Sequence, residues 1–334
     1  MTNMLLNREC KTLAILALST ALAAALHAQS PQRYSVVDLG TLGGATVPFA
    51  LNNLGQVVGY SEVSDLPHGF FYRQGKMQDL GTLGGQQSLA QSINDLGQIA
   101  GSADLANGAH HAFIFSGGHM RDLGVLEGLN SAAAAISDSG LVAGATDTAL
   151  GIHAFLYVGQ KMRDLGTLGG TNSIAQGVNV FGQVTGWSQT AGDAGLHAFL
   201  YSGGSMQDLG TLGGIASQGN AINTLGQVVG NSTNANLYQR AFLYSRGVMT
   251  DLGALDGGIQ SYAQAINDLG QIVGLSESFQ GNRAFLYENG SMIDLNDRVT
   301  MDTALVHAFA INNFGQIAAL AANAHGYLLT PVRQ

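Results

Sequence analysis

Cysteine is almost missing from this 334-residue sequence: there is one, Cys10, near the start. Residues 29–334 therefore hold no disulfide and have to be kept folded by packing and hydrogen bonds alone. Charge is scarce too. Charged residues make up 10% of the chain, well below the roughly 25% of an average soluble domain, which excludes the highly charged composition of a disordered chain. The 13 Lys and Arg are outnumbered by 22 Asp and Glu and nowhere cluster, so no footprint for a nucleic-acid backbone is present. Beyond the first thirty residues there is no apolar run of ~20 residues, the length a membrane-spanning helix needs.

Residues 1–28 read as a signal peptide. Arg8 and Lys11 precede an apolar stretch from Leu13 to Leu26, and Leu26-His27-Ala28 is an acceptable cleavage site. At ~1.5 Å per residue the apolar stretch would extend about 21 Å, short of a ~30 Å bilayer core, which favours a cleaved signal over an anchor. Cys10 lies before that stretch and so is no lipid acceptor. With no anchor in Thr330–Gln334, the expected destination is the periplasm or the medium, with no membrane insertion after cleavage.

What the chain has in abundance is glycine, 47 residues, and it recurs in register. Asp-Leu-Gly appears at Asp38, Asp79, Asp122, Asp164, Asp208 and Asp251, with a seventh Asp-Leu at Asp294. An Asn-x-x-Gly-Gln pattern, or a close variant, places glycines at 55, 97, 140, 182, 226, 270 and 315. A His-Ala-Phe triplet or variant places aromatics at 70, 113, 155, 199, 242, 285 and 327. Seven units of ~43 residues thus account for residues 29–334, with no room for a second domain.

One unit reads as four strands. Strand A covers 173–178 and ends in the turn Asn179 to Gly182; strand B covers 183–188. After a variable loop, strand C covers 197–202, and Gly203-Gly204 turns the chain into strand D, 205–209. A glycine-rich connection, 210–214, leads to the next unit. Alternate small residues in strand A (Ser88, Ala90, Ser92) are expected to share one crowded face. Repeated four-stranded meanders mark a β-propeller, and the phase separates it from an open solenoid. The repeats begin with a lone D-type strand at 34–39 and end after a C-type strand at 326–330. The expected fold is all-β: a seven-bladed β-propeller of four-stranded antiparallel blades, closed by pairing the N-terminal strand with the C-terminal blade.

These three motifs together resemble the HAF family of extracellular repeat proteins. The family triplet stands as His111-Ala-Phe113, His153-Ala-Phe155 and His197-Ala-Phe199. It departs at Arg240-Ala-Phe242, Arg283-Ala-Phe285, His68-Gly-Phe70 and His325-Gly-Tyr327. The resemblance covers about Tyr34 to Thr330; it implies export from a bacterium and no established reaction, so it carries no catalytic residues.

The repeated histidines sit on separate units, and one metal needs three or four ligands at ~2.0–2.2 Å, so a shared metal site is not expected. In the hairpin register His197 lies diagonal to Asp208 on one face. The same offset pairs His111 with Asp122 and His153 with Asp164. It also pairs Arg240 with Asp251 and Arg283 with Asp294, the arginines as bidentate partners. These read as structural ties. The glycine-rich segments lack the Gly-Lys-Ser/Thr of a phosphate loop, and no cofactor motif appears.

The B–C loops vary while everything around them repeats. Their face would carry Tyr60, Trp187, Tyr238 and Phe279 as candidate ligand-binding residues. The expected function is a monomeric, exported, non-enzymatic scaffold that binds a protein or glycan through that face. Two alternatives stand beside it. An enzyme in the central funnel would need convergent carboxylates or histidines, and strand A offers mainly Ser, Ala, Gln and Asn. A lectin would repeat its aromatic. The place of Trp187 is instead held by Tyr60, Ser102, Ala145, Asn231, Leu275 and Leu320.

Overall fold

The computed structural model describes residues 32–332, so the expected signal segment and Cys10 lie outside the described residues. Tyr34–Gln334 forms one compact unit, the subject of all that follows. Among the described residues no helix is long and apolar enough to cross a membrane.

The strands pair into five four-stranded sheets and one of eight. In the larger sheet two meanders are joined by a single parallel pair, Leu196 with Ala216. The meander at its start comprises strand A, Gly169–Val178; B, Val184–Thr190; C, Leu196–Ser202; and D, Ser205–Asp208. All its pairings are antiparallel, with Phe199 opposite Asp208 and Tyr201 opposite Met206. Gly203 and Gly204 take φ of 61° and 91°, the mirror-image turn that suits the twist of a two-residue hairpin. Strand A starts at Gly169, earlier than its side-chain pattern suggested, because Gly169 already pairs with Thr190. Part of the glycine-rich connection is therefore strand.

The two ends of the described chain meet. Tyr34–Asp38 pairs antiparallel with Gly326–Pro331, Val36 opposite Leu329, and the sheet continues through Ile317–Ala321 to Leu305–Ile311.

The expected common face for Ser88, Ala90 and Ser92 does not hold. Ala90 pairs with Gly101, whereas Ser92 pairs with Ala100, so a β-bulge lies between them. The extra residue turns Ser92 to the opposite side, where it lines the molecule's axis beside Gln91. The bulge explains a glycine in strand B. A Cβ at Gly186 would run into the backbone carbonyl oxygen of Ile174, and the same clash recurs at Gly101 with Leu89.

The core lies between successive sheets. Phe113 is fully buried in one cluster with Val58 and Phe71 of the preceding meander and Ile93 and Ile99 of its own. Equivalent phenylalanines at 70, 155, 199, 242 and 285 are also at 0% exposure, each worth roughly 1.5–3 kcal/mol on burial. In five of the meanders a strand A serine fastens the meander to the one before. Ser217 Oγ accepts from the Ala198 backbone N–H and donates to the Gly210 carbonyl. Ser88, Ser131, Ser173 and Ser261 repeat the arrangement.

Two glycine substitutions should separate steric need from turn convenience. Gly186→Ala is expected to cost on the order of 3 kcal/mol or more, because strand A has no room to yield. Gly203→Asn, at an open left-handed position, should leave the melting temperature within a few degrees. Thermal melts followed by circular dichroism check both.

Candidate functional site

The strand A segments line a common channel: Phe49, Gln91, Ala134, Gln176, Asn220, Gln264 and Phe309 stand at equivalent places along its wall. The two ends of this channel differ in construction.

At one end lie the A–B turns. Asn52 Oδ1 accepts from the backbone N–H groups of Leu54 and Gln56, closing its own turn. Its Nδ2 donates 3.0 Å to the Asn94 carbonyl in the next turn. Asn94 passes the same bond to Ser137, Asn179 to Asn223, Asn223 to Asn267, and Asn267 to Asn312. Asn312 donates 3.0 Å to the carbonyl of Asn52. Each of these asparagines is 2–4% exposed. Ser137 has no amide to hand on, and the belt skips the step to Asn179.

A second belt runs one residue outward. Asp95 accepts from the Asn53 backbone and side-chain N–H groups, and Asp138 accepts from the Asp95 backbone. Burial alone would raise the Asp268 pKa. The backbone N–H and hydroxyl of Thr224 and the Asn313 amide outweigh it and hold the carboxyl below its ordinary 3.8. The turns enclose a cavity of about 190 Å³.

The other end, on the B–C loop side, opens into a basin of about 490 Å³. Amides line it, Gln176, Gln218, Asn220, Asn231, Gln260, Gln264 and Asn282, together with the Glu277 carboxylate. Tyr262 donates 2.7 Å to Gln260 Oε1, and burial together with the nearby Glu277 charge pushes its pKa up. His307 stacks on Phe309 with ring centroids 3.9 Å apart. Its Nε2 is enclosed with no hydrogen-bond partner among the described residues, and burial lowers its pKa from 6.5 to about 4. A neutral imidazole among amides can hold a polar ligand by hydrogen bonds, but it is a weak base. Sequence reasoning missed His307, because its His-Ala-Phe triplet looks like a strand C motif. The usable signal was phase: His307 precedes the turn residue Asn312, so it belongs to strand A.

The aromatic candidates are spread apart. Tyr60 and Trp187 stand in strands, half-buried. Tyr60 packs on Phe49, with centroids 5.6 Å apart. Trp187 faces a cavity of about 130 Å³ shared with Leu196, Ala216, Gln218, Asn231 and Gln239. Gln218 and Asn231 belong to the basin as well, so the Trp187 cavity and the basin share a wall. Tyr238 is 42% exposed beside Gln239, and Phe279, on a separate unit, is 86% exposed.

The repeated His and Asp residues meet in pairs. The Nδ1 to Oδ2 distances are 2.8 Å for His111–Asp122, His153–Asp164 and His197–Asp208, and 2.9 Å for His68–Asp79. His325 reaches Asp38 at 3.0 Å, across the two chain ends. Each aspartate also accepts from a backbone N–H two residues on, as Asp208 does from Gly210. The arginine pairs are not the expected two-pronged forks. Arg240 Nε is shared by both Asp251 oxygens at 3.3 Å, while its Nη1 is drawn to the Ile259 carbonyl. Arg283 Nε stands 3.8 Å from Asp294, because its Nη groups bind Asn282 and Gln280 instead. Among the described residues no three metal-ligating side chains gather at one point.

Two outcomes follow from this geometry. Ser137→Asn restores the missing amide of the inner belt and should raise stability by about 1 kcal/mol, read as a melting-temperature increase. For His307, the unfolded chain takes up a proton below pH 6.5 and the folded chain only near pH 4. Stability is therefore intact above 6.5 and falls as pH drops through this window, by up to roughly 3 kcal/mol. His307→Gln should flatten the urea midpoint between pH 6.5 and 4.

No family model matches the sequence, and no curated protein matches it. Solved structures do. The β-propeller domain of the Trilobed protease from Pyrococcus furiosus, described as having an open velcro topology, is 6% identical at a TM-score of 0.57; the match covers 86% of this chain and 92% of that one. Streptogramin B lyase is 12% identical at 0.52, over 90% and 98% of the two chains. TolB from Acinetobacter baumannii is 12% identical at 0.50 over 84% of this chain, which spans 64% of the TolB chain, under two thirds of its length. Identities this low bear on the fold alone. The chain is all-β and propeller-like, built of four-stranded antiparallel sheets.

Proposed function

We propose that the protein is an exported seven-bladed propeller of the HAF-repeat type that acts without catalysis, as a binding module taking its ligand at the B–C loop end of the channel. Seven blades and a closed ring are supported by the seven-fold motif count, by the pairing of Tyr34–Asp38 with Gly326–Pro331, and by the Asn312 to Asn52 bond. Export rests on residues 1–28 alone.

The observation that carries the binding reading is the amide-lined basin, which shares Gln218 and Asn231 with the cavity at Trp187. Seven amides, a phenol, a neutral imidazole and the Glu277 carboxylate surround a space of about 490 Å³, an ordinary size for a ligand pocket. Such walls donate and accept hydrogen bonds with Glu277 as the one acidic group among them, and they suit a hydroxyl- or amide-rich ligand, a glycan or a protein loop. The enzymatic alternative is weaker. The one histidine in the basin has a pKa near 4, far from the value that serves a general base near neutral pH.

Binding from culture medium and to a glycan array tests this. Trp187→Ala and His307→Gln should each weaken capture at least tenfold, while Trp187→Ala melts close to wild type. Unchanged capture by both variants would overturn the reading.

A further inference from the structure

The A–B turns carry a feature that turn geometry does not require. The residue before the turn glycine is Leu54, Leu96, Phe181, Leu225, Leu269 or Phe314, exposed at 67–75%. In an Asn-x-x-Gly turn the backbone bonds and the asparagine do the work, and this position faces water. Ser139 occupies it in the remaining turn, so the fold accepts a small polar residue there. The turn tips are neighbours, tied to one another by contacts such as Asn53 N to Asp95 Oδ1 at 2.8 Å. Six large apolar side chains thus surround the channel mouth opposite the basin. Together they expose on the order of several hundred Å² around one mouth, where singly scattered apolar residues would need no explanation.

Charge selects what covers them. Inside the apolar rim stand Asp95, Asp138 and Asp268, with no Lys or Arg in any of these turns. A second copy docked face to face would oppose like charges, and an anionic membrane surface would be repelled. A cation surrounded by apolar groups satisfies both parts at once.

We infer that this face is a second docking surface, distinct from the basin, for a protein segment presenting a Lys or Arg side chain to the axial cup with apolar residues on either side. The apolar neighbours would pack on the rim, and the cup of about 190 Å³ would receive the cationic group.

The test pans a phage-displayed random dodecapeptide library on the immobilised protein. Two counter-targets are used: the triple variant Leu96→Ser, Phe181→Ser, Leu225→Ser, and the triple variant Asp95→Asn, Asp138→Asn, Asp268→Asn. Circular dichroism melts establish that the serine variant is folded, which Ser139 leads one to expect. The wild type should enrich peptides with Lys or Arg flanked by Leu, Ile, Phe or Trp. A synthetic peptide of that consensus should bind the serine variant at least tenfold more weakly, and the asparagine variant should lose the preference for the basic residue. Trp187→Ala, at the other end of the channel, should bind it as wild type does. Three results would each overturn the inference: no consensus, a consensus that binds the serine variant equally well, or a rim-dependent dimer in analytical ultracentrifugation without peptide binding. Rim-dependent binding to phosphatidylcholine vesicles without any basic peptide would overturn it as well.

Discussion

One side chain, the buried asparagine of the A–B turn, sets the terms for the rest of the molecule. Its oxygen closes the turn that holds strands A and B together, and its amide nitrogen reaches the carbonyl of the next turn. At 2–4% exposure an unpaired amide would cost about 1–3 kcal/mol, so neither bond is optional. Local turn and neighbour contact are thereby made by the same residue. The spacing between successive sheets at the axis is fixed before any apolar packing is counted. The serine clamp repeats the same logic between meanders, whereas the His–Asp pairs, more open to water, tie strands C and D within one.

Much of this was legible in the sequence, because a propeller-like fold is periodic and periodicity survives without an alignment. The hairpin register that set Phe199 against Asp208 followed from two glycines. The His–Asp diagonals followed from that register. Details that break the period were harder to read. The bulge after Ala90 leaves no mark on strand A itself. Its trace is the glycine at 101 on strand B, which makes sense only once the carbonyl that it faces is known. The arginine pairs departed from a fork because Arg240 and Arg283 are long enough to find other acceptors, and reach cannot be read from spacing.

The candidate site was less legible than the fold. Trp187 and Tyr60 stood out as residue types, but their setting did not; both are strand residues that pack on neighbours rather than loop ornaments. The amides of the basin looked like filler in strand A, one or two per unit. They become a surface only because strands far apart in sequence converge on one channel. His307 was hidden by a motif that usually means something else. The exposed leucines and phenylalanines at the turn tips were read as part of a turn signature. Their meaning depends on exposure, which a sequence does not state.

The strand Tyr34–Asp38 has a consequence for the order in which the molecule can form. Its hydrogen-bonding partner, Gly326–Pro331, is the last of the described strands, and Ser35 bonds to Thr330 across 295 residues of chain. The first described strand is thus paired with the last, while every meander in between pairs locally. Until those two meet, the chain carries a free strand at one end and an unpaired sheet edge at the other. The nearly identical repeats supply several wrong edges for that strand to join. The contact His325–Asp38 has the same form as His68–Asp79 and His197–Asp208, so it gives the native pairing no mark that these near copies lack. Assembly is therefore a race between closure of one chain on itself and the trading of end strands between chains, decided by concentration and not by the strength of any single sheet.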